Sequence, residues 1–316
     1  MKKKILILFL ILVLVTLLGI IKGSVNIPFS ELLLKANQPI IMLRVFRIIV
    51  GIIAGMGLAV SGIVLQAILR NCLAEPYLLG TSSGAGLGAV LAIVLGISGI
   101  YLPLAAFIGA ILSVILVYNL ARENNKIPEQ SLILSGVIVS VALSAIIVFL
   151  VSISLNEAFH GLTWWLWGSL QVYDFKLLGI VSFIVLAGVA VIYVFSQDLN
   201  AISVGEEEAI HLGVDIESVK KILIVVTALI TASVVCICGI IGFVGLMIPH
   251  MMRLVVGPNH KVLIPATCLA AAIFIIACDI LSRTLFPPLE IPIGVITAIL
   301  GAPVFIFLLK RRQKVR

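Results

Sequence analysis

Of the 14 carboxylates in this 316-residue chain, one lies well inside an apolar run: Asp279, in the stretch CDILSRTL. Arg283 follows four residues later, on the same helix face and in an order that favours an ion pair. A carboxylate placed in hydrocarbon needs such a partner. Two chemistries fit. A proton- or ion-coupling site would want several buried acids along a path, whereas a local structural pair needs only one near a helix end. The single acid favours the structural pair. Arg44 and Arg47, one turn apart, share with Arg283 a position at span ends on the side poorer in positive charge. Their heads can snorkel to water as anchors. Alternatively, they form a docking surface for an acidic partner, which charge complementarity would steer and register.

A third constellation is polar throughout: SQDLNAISVGEEEAIHLGVDIESVKK. Glu206, Glu207 and Glu208 open a short helix through Ala209 and Leu212, Gly213 stops it, Val214 follows, and a second helix starts near Asp215. A solvated loop would need neither the apolar Ile210 and Leu212 nor the glycine stop, so the segment reads as a partner-docking element. Other chemistries are missing. There is no G-x-x-x-x-G-K-S/T phosphate loop, and no lysine between Lys35 and Lys126. Gly84, Gly86 and Gly88 have no strand before them, so they serve packing rather than a dinucleotide. His160, His211, His250 and His260 are scattered, which argues against a metal site. Cys72, Cys236, Cys238, Cys268 and Cys278 lie in or beside apolar segments and read as small buried hydrophobes. No nucleophile–base pair or paired carboxylates speak for an intramembrane enzyme.

The elements that position these residues are membrane spans. The chain is 62% hydrophobic and 11% charged, with a mean hydropathy of +1.31. Apolar runs recur along its length, and alternating short strands are absent, so the expected fold is an all-α polytopic membrane protein in one domain, residues 1–316. The runs give about ten spans. They are Ile5–Ile21 (retained rather than a cleaved signal, since the run is long and no A-x-A-like site follows), Arg44–Leu69, Leu79–Leu95, Pro103–Leu120, Leu132–Ser154, Leu177–Phe195, Ile222–Cys238, a short or tilted Ile240–Leu254, Val262–Leu285, and Pro292 to the final basic run. Gly51, Gly55 and Ala59 repeat at four-residue spacing, as do Gly80, Gly84 and Gly88. Such stripes let helices approach closely, and we expect the second and third spans to form a tight hairpin across the Arg70–Pro76 break. Thr81, Ser82 and Ser83 are suited to cap the third. Residues 156–174, with Trp164, Trp165 and Trp167, are expected to lie at the interface outside. With the amino terminus inside, fifteen of the 21 Lys and Arg fall on inner segments. Both termini are then cytoplasmic.

The sequence resembles the permease family of ABC importers for iron–siderophore complexes, haem and cobalamin, the FecCD or BtuC type. The matching stretches are RVFRIIVG, SGIVLQAILRNCLAEPYLLGTSSGAGLG, WLWGSL, LGVDIESVKK, GIIGFVGLMIPHMMRLVVGPNHKVLIPA, CDILSRTL and EIPIGVITAILGAPVFIFLLKRR, in family order from residue 40 to 312. The resemblance implies a non-catalytic subunit with no cofactor of its own. It implies a second permease subunit, identical or a sister chain, two ATP-binding subunits carrying ATP and Mg, and an extracytoplasmic substrate-binding protein. Nucleic acid has no part in it. Within the cytoplasmic loop 197–221, Glu206–Val219 match the coupling helices that sit on the ATPase. Arg44, Arg47 and Arg283 match positions receiving acidic residues of the binding protein. Glu129, Gln130 and Ser131, before the fifth span, match the inner gate, and that span would line the pathway. Among possible cargoes an iron–siderophore is favoured. The rival readings are an ion-coupled secondary transporter, which would need several intramembrane carboxylates or broken helices, and an ABC exporter.

Overall fold

A computed structural model of the protein describes residues 2–25, 34, 37–123, 126–154, 165–172 and 174–314. Among the described residues it is all-helical, with only two isolated β-bridges. The helices are α1 (Lys2–Ile21), α2 (Gln38–Ile68), a 3-10 turn (Pro76–Leu79), α3 (Thr81–Val94), α4 (Tyr101–Ala121), α5 (Glu129–Ile153), α6 (Phe175–Val194), α7 (Ser196–Val204), α8 (Glu206–His211), α9 (Ile216–Cys238), α10 (Val244–Val256), α11 (His260–Thr284) and α12 (Ile293–Lys314). Ten apolar helices stand where spans are expected. Seven of them, α1, α2, α4, α5, α6, α9 and α11, are long and apolar enough to cross a membrane. The other three, α3, α10 and residues 293–307 of α12, are shorter.

The core is built around α2. Its proline at the first turn suits a helix start, and from Ile48 to Leu69 most of its side chains are buried. Gly55 is why α11 can lie so close. A Cβ there would come within 2.8 Å of the Ala271 carbonyl oxygen. The expected α2–α3 hairpin is not how these stripes are used. Gly51 and Gly55 of α2 face α11, with Gly51 against Ile275, while Gly84 and Gly88 of α3 abut Gly109 and Ala105 of α4. The 3-10 turn intervenes, so α2 and α3 each find another partner. Nor do Thr81–Ser83 cap α3. Gly80 takes the cap position at φ 74°, and Thr81 instead donates its hydroxyl to the Pro76 carbonyl at 3.2 Å.

Non-helical backbone at membrane depth must be paired within the protein. Gly239 (φ 67°) ends α9 and Phe243 (φ 67°) opens α10. Between them, Ile241 donates to and accepts from the Tyr77 hydroxyl at 3.1 and 3.0 Å. Ser169 N–H donates to the Cys238 carbonyl at 2.7 Å, and Gly294 N–H to that of Trp167 at 3.0 Å. The segment expected at the interface therefore divides. Residues 155–164, Trp164 among them, lie outside the described residues, whereas 165–172 tuck into the bundle with Leu170 buried.

Candidate functional site

The ionic residues gather at two opposite ends of the bundle. One end is marked by Lys4 of α1, whose ammonium donates to the Val255 carbonyl at the end of α10 at 2.5 Å. The other is marked by the close of α1 and the start of α2. A helix leaves its last carbonyls unbonded, and two arginines supply the missing donors for α1. Arg44 donates to the Ile20 and Ile21 carbonyls at 2.7 and 2.9 Å and to that of Val25. Arg283 donates to those of Gly19 and Lys22, both at 3.3 Å. Cations at a helix carboxyl end also meet its negative pole favourably.

Asp279 is 1% exposed and lies between two guanidinium groups. Arg283 Nη2 is 2.8 Å from its Oδ2, an ion pair not aligned as a hydrogen bond. Arg47 closes on Oδ1 with Nε at 3.0 Å and Nη2 at 2.8 Å. Through Nη1 Arg47 also holds Glu290 at 2.8 Å, and Gln171 donates to the same Glu290 oxygen at 2.8 Å. Beside this chain lies a cleft of about 260 Å³ lined by Ser24, Arg44, Arg47, Gln171, Arg283 and Glu290 among others.

Arg44, Arg47 and Arg283, read from the sequence as a docking surface or as snorkelling anchors, are not equally open in the structure. Arg44 and Arg283 are 4% and 3% exposed, because their hydrogen-bonding capacity is taken up by the end of α1 and by Asp279. Arg47 keeps part of its edge open, with its charge already balanced by two carboxylates.

At the Lys4 end, Gly205 leads into α8 and Gly213, at φ 82°, closes it. Ala209, on the inner face of α8, is fully buried, Val214 N–H returns to the Ala209 carbonyl at 3.0 Å, and Leu212 is exposed. Glu206 is tied inward. Lys220 of α9, itself 2% exposed, donates to its Oε1 at 2.5 Å. Glu207 and Glu208 stay exposed. The second short helix expected near Asp215 is the first turn of α9 itself, capped where the Asp215 carboxylate accepts from Ser218 N–H at 3.3 Å. Hydrogen bonds from Ser218 hold the Asp215 carboxyl below its ordinary pKa.

Glu129, Gln130 and Ser131 do not precede the fifth helix; they form its opening turn. Glu129 accepts from Arg70 Nε at 2.7 Å, and Ser131 donates to Glu123 at 2.6 Å. Among the described residues, no three His, Cys, Asp or Glu side chains come together as a metal site would require.

Four residues carry contacts that sequence reasoning did not single out: Gln66, Arg70, Lys220 and Glu290. Their partners are far along the chain, so spacing gives no sign of them. Gln66 alone had a readable signal. Pro249 inside α10 cannot donate to the Gly245 carbonyl, and Gln66 Nε2 supplies that bond at 3.2 Å, sharing it with Leu246 (3.1 Å) and Ala74 (3.2 Å). Its oxygen accepts from Arg253.

Comparison with known proteins agrees with this layout. The chain is 40% identical over 272 residues to a cobalamin import system permease protein BtuC of Halobacterium salinarum, covering 86% of this chain and 73% of that one. It is 33% identical to the hemin transport system permease protein HmuU of Yersinia pestis, over 87% and 84% of the two chains. A solved structure described as an inward-facing conformation of a metal-chelate type ABC transporter superposes with a TM-score of 0.91 at 32% identity, covering 98% of this chain and all of the other. Residues 10–311 match the FecCD transport family, and the chain belongs to that family.

Proposed function

We propose that the chain is the transmembrane permease subunit of an ATP-binding cassette importer, bringing a bulky metal chelate across the cytoplasmic membrane by alternating access. Permeases of this family are non-catalytic, and ATP is hydrolysed by separate ATPase subunits. The observation that carries the reading is where charge sits. Among the described residues, every ion pair lies at one of the two end faces and none along the bundle between them. An ion-coupled carrier would want carboxylates arranged around a site at mid-depth. A wide passage for a large chelate does not.

The positive-charge bias supports a cytoplasmic Lys4 end. There, α8 offers Glu207, Glu208 and the exposed Ile210 and Leu212 to an ATPase surface, and the opening turn of α5 stands beside it as a gate. At the outer end, the cleft around Arg47 offers a partly open guanidinium to an acidic binding protein. A second permease copy or sister chain would cover the exposed apolar length of α5. The cargo class includes iron–siderophores, haem and cobalamin. The names of the relatives make cobalamin and haem the first to titrate.

The test is reconstitution with two ATPase subunits and the binding protein in vesicles. ATP should drive accumulation of the chelate, and omission of the ATPase should abolish it. Accumulation that survives ATPase omission and collapses with an uncoupler would establish the secondary-transporter reading instead.

A further inference from the structure

Two of the long helices, α6 and α11, both lean on α2 and hardly on each other. Val185 of α6 lies against Gly57 of α2, and Gly188 of α6 abuts Ile230 of α9. On α11 it is the backbone at Ala271 that meets Gly55 of α2. The two helices are seated separately, and a groove of about 430 Å³ runs between them. Leu186, Ala190 and Tyr193 form one wall, spaced four and three residues apart along a single face of α6. Pro265, Cys268 and Leu269 form the other. The α6 wall spans two turns, about 10 Å. Leu186 is 51% exposed and Tyr193 41%, so the groove is open along its length.

Both walls belong to helices long and apolar enough to cross the membrane, so what surrounds the groove is lipid. One end of it lies at the Lys4 face. Tyr193 is the last residue but one of α6, and α11 begins at His260, soon after the Val255 carbonyl that Lys4 holds. Any hydrocarbon-lined groove would take up lipid chains in passing. A cation at the mouth sets this one apart. Lys261 stands four residues before Pro265 and seven before Cys268, on the same stripe of α11. It is exposed, and no carboxylate pairs with it among the described residues. Tyr193, an apolar ring with a polar tip, suits the same level of the membrane. Basic residues between spans on the cytoplasmic side attract anionic headgroups.

We propose that this groove is a binding site for one anionic phospholipid of the cytoplasmic leaflet. An acyl chain lies between Ala190 and Cys268, and the phosphate meets the Lys261 ammonium with Tyr193 beside it. The lipid fills a gap that the protein leaves between two of its own helices. The choice of leaflet rests on the orientation read for the Lys4 end; the site itself stands whatever the chain transports.

In the experiment the full-length chain, purified in detergent and stripped of lipid, is titrated with dioleoyl phosphatidylglycerol and with dioleoyl phosphatidylcholine, and bound lipid is counted by native mass spectrometry. Wild type should take one phosphatidylglycerol about fivefold more tightly than phosphatidylcholine, the size expected for one lysine at a membrane surface. Lys261→Gln should remove that preference and leave phosphatidylcholine unchanged. Ala190→Trp and Cys268→Phe, which fill the groove from opposite walls, should weaken both lipids about tenfold, as the loss of about two buried methylenes would. Leu112→Trp, on the exposed face of α4, should change neither. Lys261 is exposed, so its variant keeps the fold and decides the matter even where a groove-filling variant fails to fold. The proposal is overturned if wild type binds the two lipids alike, if Lys261→Gln keeps the preference, or if folded groove-filling variants bind as wild type does. Displacement of phosphatidylglycerol by glycerol phosphate, a headgroup without chains, would likewise overturn it in favour of a bare anion site. None of these outcomes involves ATP-driven uptake, so failure here leaves the importer reading standing.

Discussion

Asp279 shows how far local spacing can be trusted. Arg283, four residues on, was legible as its partner; Arg47, 232 positions away, was not. The carboxylate balances both, so Asp279→Asn would leave two largely buried guanidinium groups poorly compensated. Breaking such a buried set costs on the order of 3–5 kcal/mol, and a clear fall in the thermal unfolding temperature in detergent should follow. Glu290→Gln should cost less, since the Glu290 side chain is 26% exposed and Arg47 retains Asp279. Normal stability with lost transport in Asp279→Asn would mark a direct role. Glu75, in the connection between α2 and the 3-10 turn, supplies a pH test. Burial raises its pKa, so the folded state binds its proton more tightly than the unfolded chain does. Stability from this group is then full below the unfolded value and declines as pH rises toward the folded one. Glu75→Gln should therefore be as stable as wild type or more so at pH 7, with the advantage fading near pH ~4.

At the scale of elements, hydropathy located the helices because each long run must satisfy its backbone internally. What each helix packs against was not legible. A stripe of small residues says that something approaches closely but not what, and the α2 and α3 stripes proved to face α11 and α4. The tuck of residues 165–172 was equally hidden, since Trp-rich segments also suit an interface. Gln66 joins α2, the 71–75 turn and α10 through four hydrogen-bond partners. Gln66→Leu would orphan the Gly245 carbonyl and strip Arg253 of its acceptor, at about 1–3 kcal/mol for each buried group left unpaired. Chemical or thermal unfolding of the purified variant would register this, and an unchanged midpoint would mean that water or a rearranged neighbour replaces the amide.

For the whole molecule, the division of charge between two ends recasts how docking should be probed. Reversing Arg44 or Arg283 would uncap α1, so weakened binding of a partner could reflect damage to the fold. Substitution at Glu206 meets the same objection through Lys220. Glu207→Lys with Glu208→Lys is the cleaner reversal. It should leave the unfolding temperature within a degree or two, as surface substitutions generally do, while lowering uptake per ATP hydrolysed in reconstituted vesicles. Retention of wild-type coupling would remove α8 from contact with the ATPase. The binding site for cargo was not legible at either level; in the importer reading proposed above, a second permease subunit would complete the passage.

The proline of α10 has one more implication. Residue 249 leaves a vacancy in its own helix that an amide from residue 66 fills. During synthesis the amino-terminal third of the chain emerges long before α10, so the donor is already waiting when its acceptor enters the bilayer. The order of translation therefore allows the early helices to present the missing donor before the helix that needs it is made.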